Sequence, residues 1–238
     1  GYRPPGTLIR YSYEIRDKAG RVVRTPEKQH LYLDESLDWV SVSEGLLTVY
    51  YYGDFVEKRA RTVLEASQET MDNMGNLLGI LPTDPIRIIS YSNYRDMSRG
   101  LPFRSQAVRE ELETQGQAWA RERVLLVLSS GTTVTGIASH EFTHILVAEA
   151  AGRFIANVPS WLNEGLAEFG NVDPTPVYDR ALAYAVYTRR LKPLWQMHDF
   201  GGQPDDILIG YGQGLSVIRY LIAFYGEEKI AELLEEFR

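Results

Sequence analysis

Gly136-Ile-Ala-Ser-His140-Glu141-Phe-Thr-His144-Ile-Leu-Val147 lies just past the middle of this chain, and the rest can be arranged around it. Four residues along an α-helix turn it by about 400°, so His140 and His144 fall one turn apart on nearly the same face. Their imidazoles can meet on one cation. Glu141 is offset from both and can reach a metal-bound water without taking a coordination position. The residues around the motif are apolar, and two of the chain's four histidines fall inside it. An accidental His-Glu-x-x-His on a solvated helix has no reason to show either feature.

A catalytic metal of this kind needs a third protein ligand, with a fourth position left to water. Trp161-Leu-Asn-Glu164-Gly165-Leu-Ala-Glu168-Phe169 offers one. Glu164 follows His144 by twenty residues, room for one helix to end, a loop to reverse and a second helix to return. Val158-Pro159-Ser160 reads as the start of that second helix, with proline near the first turn. Glu164 and Glu168 are i,i+4 neighbours, and two exposed like charges so placed repel slightly. The pair makes more sense if Glu164 binds the metal and Glu168 accepts the N–H of a liganding histidine. Gly165 costs about 1 kcal/mol in a helix interior. A close approach of the two motif-bearing helices at the metal is the expected reason for it.

In combination the two stretches resemble the gluzincin zinc metallopeptidases. Trp161-Leu-Asn-Glu-Gly165 is similar to the second motif of the M1-like, peptidase-MA-like branch. The resemblance covers about Thr132 to Phe169, with a weaker match further on. It implies His140, His144 and Glu164 as ligands of one Zn2+ and Glu141 as general base. The step from His144 to Glu164 is one residue longer than in M1 aminopeptidases and equals the thermolysin spacing. Tyr211-Gly-Gln-Gly214-Leu resembles the Tyr-x-x-Gly segment that opens a late helix in M1-like enzymes, which implies Tyr211 as oxyanion donor. His198 is the competing donor, because thermolysin-like enzymes use a late histidine. Trp195 and Phe200 beside it suit a loop tucked on the core, so a structural role is expected for His198. M1 aminopeptidases also carry a Gly-x-Met-Glu-Asn segment whose glutamate grips the substrate amino terminus. Val124-Leu-Leu-Val-Leu-Ser-Ser-Gly131 carries no acid, so aminopeptidase specificity does not follow, and an endopeptidase is the expectation.

Composition sets the outer bounds. With 238 residues the chain can build a full core in one or two domains. Hydrophobic residues at 44% and charged residues at 24% are ordinary for a globular protein. The formal charge of −7 gives no bulk attraction to nucleic acid or an anionic membrane. No apolar run approaches the ~20 residues of a membrane span. With no cysteine, disulfides and thiolate metal sites are excluded. The chain begins with glycine and shows no signal peptide. Secreted and surface-anchored bacterial proteins are common among similar peptidase-MA-like chains, so the resemblance implies an extracytoplasmic location.

Two units are expected. Residues 1–45 read as a short β-rich extension. Thr7 to Arg16 alternates in part, Asp17-Lys-Ala-Gly20 turns, Val22-Val23 returns, and His30-Leu-Tyr-Leu-Asp34 is a further strand with a structural His30. So small a piece must pack on the rest or on upstream sequence. Residues 46–238 read as an α+β catalytic domain of gluzincin, thermolysin-like type, with a small sheet plus a long helix and then a mainly helical half. Leu46 to Tyr52 is a strand, and Asp54 is placed to cap a helix running to Leu78 and ended by Gly79. Pro85 to Tyr91 and Val124 to Ser129 are strands, and 92–118 is irregular with one short helix. The strand just before the motif is the expected edge for an extended peptide. Later helices are expected from Asp173-Pro-Thr-Pro to Arg190, from Gln213 to Tyr225 and from Glu227 to Phe237, with 199–210 as a loop.

The expected partner is a peptide or protein substrate. Two other classes compete: a catalytically silent binding or scaffold protein of the same fold, and a structural α+β domain with a fortuitous motif. Intact Glu141 weighs against the first, since a base is the first group a silent relative can lose.

Overall fold

The computed structural model describes residues 1–53, 56–102, 115–131, 133–198 and 203–237. The N-terminal alternation forms a long antiparallel hairpin. Strand β1 (Leu8–Tyr11) pairs with β4 (Lys28–Leu31), and β2 (Glu14–Arg16) pairs with β3 (Val22–Arg24). Gly20, at φ +81, closes the turn that Asp17 anchors through the Ala19 and Arg21 amides. Only the base of this piece is buried. The Arg87 Nε donates to the Gly6 carbonyl at 2.6 Å, while Tyr13, Ile15 and Val23 remain exposed.

The main sheet has five strands in the order β5-β6-β7-β9-β8. These are β5 (Val40–Glu44), β6 (Leu47–Tyr51), β7 (Ile86–Tyr91), β8 (Gly116–Trp119) and β9 (Val124–Leu128). Strands β6, β7 and β9 run parallel, with β5 and β8 antiparallel at the two edges. Thus β5 lies within residues 1–45 in sequence but belongs to this sheet. The three central strands are rich in Val, Ile and Leu because both faces are covered. Leu47, Val49, Ile86, Ile88, Leu125 and Val127 meet the helices on one face. Ile89, Tyr91, Val124, Leu126 and Leu128 meet Met97, Trp39 and Trp119 on the other.

Among the described residues there are seven α-helices: α1 (Glu57–Leu78), α2 (Tyr94–Gly100), α3 (Val134–Ala151), α4 (Ser160–Phe169), α5 (Val177–Tyr187), α6 (Pro204–Tyr225) and α7 (Glu228–Glu235). Gly79 ends α1 in the left-handed conformation at φ 65, as its position predicts. The predicted cap, Asp54, lies outside the described residues. Helices α1 and α3 pack together on the sheet, and α4 to α7 build the helical half.

Five expectations are corrected. The strand before the motif, β9, is internal, because β8 folds back antiparallel along it and takes the edge. Of the segment 92–118, expected to be irregular with one short helix, Tyr94–Gly100 forms that helix and Gly116–Trp119 forms β8, a strand too short to show a pattern, while 103–114 lies outside the described residues. Within the loop expected at 199–210, residues 199–202 lie outside the described residues and the rest gives way to α6 from Pro204, whose proline at the first position and Asp205 and Asp206 in the first turn are helix-start chemistry. Gly165 does face a close helix, but that helix is α6, not the motif helix. A Cβ on Gly165 would lie 2.7 Å from the Gly214 backbone, and one on Gly214 would lie 2.6 Å from the Trp161 carbonyl. Finally, α6 is long and apolar enough to cross a membrane by length and composition. Its Gly210, Gly212, Gly214, Leu215 and Ile218 are buried, so here it serves as a packing helix of the domain.

Candidate metal centre

His140, Glu141 and His144 project from α3, whose buried face holds Ala138, Phe142, Ile145 and Leu146 in the core. The chain turns through a 3-10 segment, Gly152–Asn157, with Gly152 at φ +59. Helix α4 then returns Glu164 and Glu168 to the motif. Pro159 sits just before α4, at φ −68, and its carbonyl accepts the Leu162 and Asn163 amides.

The two imidazoles are oriented from behind. His140 Nδ1 lies 2.8 Å from Glu168 Oε1, in a close contact bent away from a straight hydrogen bond. His144 Nδ1 lies 3.0 Å from Asn163 Oδ1. Both partners are acceptors, so a proton on each Nδ1 would leave both Nε2 lone pairs facing forward to a metal. Those Nε2 atoms are 3.2 Å apart. Glu164 Oε2 lies 3.4 Å from each and has no hydrogen bond of its own although it is buried. Three electron-pair donors pressed together repel unless a positive charge joins them. Ligands held tetrahedrally at 2.0–2.1 Å from zinc are about 3.3–3.4 Å from one another. The donor set, the orphaned oxygen and the spacing fit a small divalent cation.

The electrostatics agree. Burial opposes protonation of His140, but Glu164, Glu168 and Glu141 outweigh it and push its pKa up to about 10. Burial likewise opposes a charged His144, yet Glu164 above all raises it. Burial works against the Glu164 carboxylate too, but the two imidazoles hold it well below the usual range. The site as built draws positive charge inward.

Residues 66–238 match the family model of the Peptidase MA superfamily. The chain belongs to this superfamily. No curated protein matches it in sequence. Peptidase MA members are peptidases related to the zinc metallopeptidases and typically metal-dependent, and His140, His144 and Glu164 form a group that could hold the ion.

A cleft of about 740 Å3 opens over the group. Edge strand β8 forms one wall, α3 the floor, and Tyr178, Ile207, Leu208 and Tyr211 the opposite wall. Burial pushes the Glu141 carboxyl up, against the pull of His144 and His140 and a hydrogen bond from the Ala118 amide of β8. Gly116 leaves this carboxylate its room: a Cβ there would lie 2.5 Å from Glu141 Cγ and 2.8 Å from Oε1. Tyr211 reaches the centre from α6, its ring 6.0 Å from that of His140 and its phenol close enough to Glu164 to interact with it. His198 stays outside. It is exposed, does not line the cleft, and engages α4 through its backbone carbonyl, which accepts the Ser160 amide. The expected tucking of Trp195 is not found, since it is 71% exposed, and Phe200 lies outside the described residues.

Gly116, Ala118, Asn163 and Tyr178 carry no signal of site membership in the sequence. Asn163 sits inside the second motif, but only the fold turns it towards His144. Tyr178 is one of fifteen tyrosines.

Glu168 is 4% exposed, and Asn171 Nδ2 is 3.4 Å from its Oε2. Replacing it by alanine should weaken zinc binding by roughly 10–100-fold without removing a ligand, the scale for losing a partner behind a liganding histidine. Competition with a chromophoric chelator measures this. Parental affinity would reduce Glu168 to a packing residue.

Proposed function

We propose that the chain is a zinc-dependent endopeptidase of the gluzincin type, with His140, His144 and Glu164 holding the ion. The observation that carries it is the triangle of His140 Nε2, His144 Nε2 and Glu164 Oε2, 3.2–3.4 Å apart and so at tetrahedral spacing, beside a buried carboxylate. Zinc bound there supplies a Lewis acid and a water whose pKa is lowered towards ~7. Glu141 serves as general base, held by the Ala118 amide and free of the ligand set. It takes the proton of the attacking water and passes it on to the leaving amine. Tyr211 donates to the developing oxyanion, and burial keeps its phenol protonated. Among the described residues β8 is the edge strand along the cleft, and an extended peptide added there gains main-chain hydrogen bonds.

The endopeptidase assignment rests on what the cleft offers a chain terminus. Among the described lining residues there is no lysine or arginine to hold a terminal carboxylate. Gly116–Trp119 has no acid to grip a terminal amine. Asp173, the one lining carboxylate away from the metal group, is exposed on the rim. The Trp161-Leu-Asn-Glu-Gly165 match to the M1-like branch therefore concerns the metal site and not aminopeptidase specificity.

Protein purified without added metal should contain one zinc per chain by elemental analysis, and His144→Ala should contain almost none. A peptide-library digest should show cleavage at internal bonds. Equal zinc in the two samples would sink the ligand assignment. Bound zinc without any cleavage would leave a silent binding protein of the same fold.

A further inference from the structure

Tyr178 is the cleft residue for which the zinc site, as proposed above, has no use, and it touches that site twice. It lies in the first turn of α5, and its ring is stacked on that of Tyr211, with centroids 5.4 Å apart and planes 26° from parallel. Its hydroxyl and the Glu168 carboxylate, which stands behind His140, lie close enough to interact. Burial, with Glu168 and Glu164 nearby, pushes the Tyr178 phenol up, so it remains a donor at any ordinary pH.

The backbone around it is built for this placement. The Tyr178 carbonyl presses on Gly212, one residue after Tyr211, where a Cβ would collide with it. One residue further along α5, Asp179 pairs with Arg219 of α6 at 2.9 Å. The two helices are thus locked at the level where the tyrosines stack. Glu168 in turn depends on its neighbours. A carboxylate that is 4% exposed must have its oxygens occupied, or it loses much of its free energy of solvation without return. Asn171 at 3.4 Å is a long contact and His140 at 2.8 Å a bent one, which leaves the Glu168 carboxylate room for a further donor.

We propose that Tyr178 is a positioning residue with two separable tasks: its ring holds the Tyr211 hydroxyl aimed at the metal centre, and its hydroxyl steadies Glu168 behind His140. The first task rests on the assignment of Tyr211 as oxyanion donor; the second does not. Tyr178→Phe keeps the stack and deletes the hydroxyl. Tyr178→Leu deletes both.

The zinc-loaded protein is assayed on a quenched-fluorescent peptide taken from the library digest, and Zn2+ affinity is measured separately by chelator competition. Tyr178→Phe should lower Zn2+ affinity by about 3–10-fold, below the full loss of a carboxylate behind a ligand, and change kcat by less than about 2-fold. Tyr178→Leu should lower kcat by about 10-fold with KM nearly constant, since an ill-aimed donor costs only the transition state. In a Tyr211→Phe background the same Tyr178→Leu change should leave kcat within about 2-fold, because no hydroxyl remains to be aimed. Tyr178→Met serves the same cycle if the leucine variant does not fold.

An equal kcat loss in both backgrounds, with Tyr211→Phe itself costly, overturns the aiming role and leaves the Tyr211 assignment standing. A Tyr211→Phe protein with parental kcat removes the assignment and the aiming role together. Parental Zn2+ affinity in Tyr178→Phe overturns the Glu168 role on its own.

Discussion

Glu141→Gln should keep its zinc and its fold and lose peptide hydrolysis by at least ~10²-fold, the usual scale for removing a general base. The site explains why the two effects separate. Glutamine has the size of glutamate, and its carbonyl oxygen can still accept the Ala118 amide that now meets Glu141. The helix around it keeps Phe142, Ile145 and Leu146 buried. What disappears is the capacity to take a proton, which no amide has near neutral pH. Elemental analysis, thermal unfolding and kcat on a digest-derived peptide measure the three quantities in parallel. Retained kcat with full zinc would mean that another group activates the water.

A second substitution reaches the same base from the strand. Gly116→Ala places a methyl 2.5 Å from Glu141 Cγ, inside any van der Waals contact, so the carboxylate must move. The proposed ligands His140, His144 and Glu164 are not among the groups this methyl would meet. Lost turnover with retained zinc is therefore the expected outcome for this variant too, from a residue on a different element and with no chemistry of its own.

Tyr211→Phe is expected to cost about 10²–10³ in rate, or about 2.7–4 kcal/mol of transition-state stabilisation, the scale for one oxyanion donor in a water-poor site. The ring stays, and with it the stack on Tyr178. The loss should fall on kcat with KM little changed, because the full oxyanion exists only in the transition state. Zinc content should match the parent, since the phenol is not among the three clustered donors. His198→Ala is the control. That side chain is exposed and outside the cleft, so its removal should be mild or act through stability alone. A crippled His198→Ala with zinc intact, beside a near-parental Tyr211→Phe, would reverse the two roles.

Local periodicity determined by itself that His140, Glu141 and His144 lie on one helix, with the two imidazoles on one face, because four residues make about one turn wherever that helix sits. The same local rules announced the start of α4 at Val158-Pro159-Ser160, the end of α1 at Gly79, the hairpin turn at Asp17–Gly20 and the three apolar central strands. They failed at Pro204, where proline and two aspartates were taken for a loop although they also open a helix. They failed at Gly116–Trp119, four residues with too little pattern to register. Only the tertiary structure decided the distances that matter. Glu164 meets the histidines because the 3-10 turn and the Gly165–Gly214 contact fix where α4 can lie, and neither histidine spacing nor helix propensity encodes that position. Gly116 abuts Glu141, and Tyr178 reaches both Tyr211 and Glu168, through contacts between residues far apart in the chain. Such contacts leave no period in a sequence, because each depends on how separate elements pack rather than on any one element's own geometry.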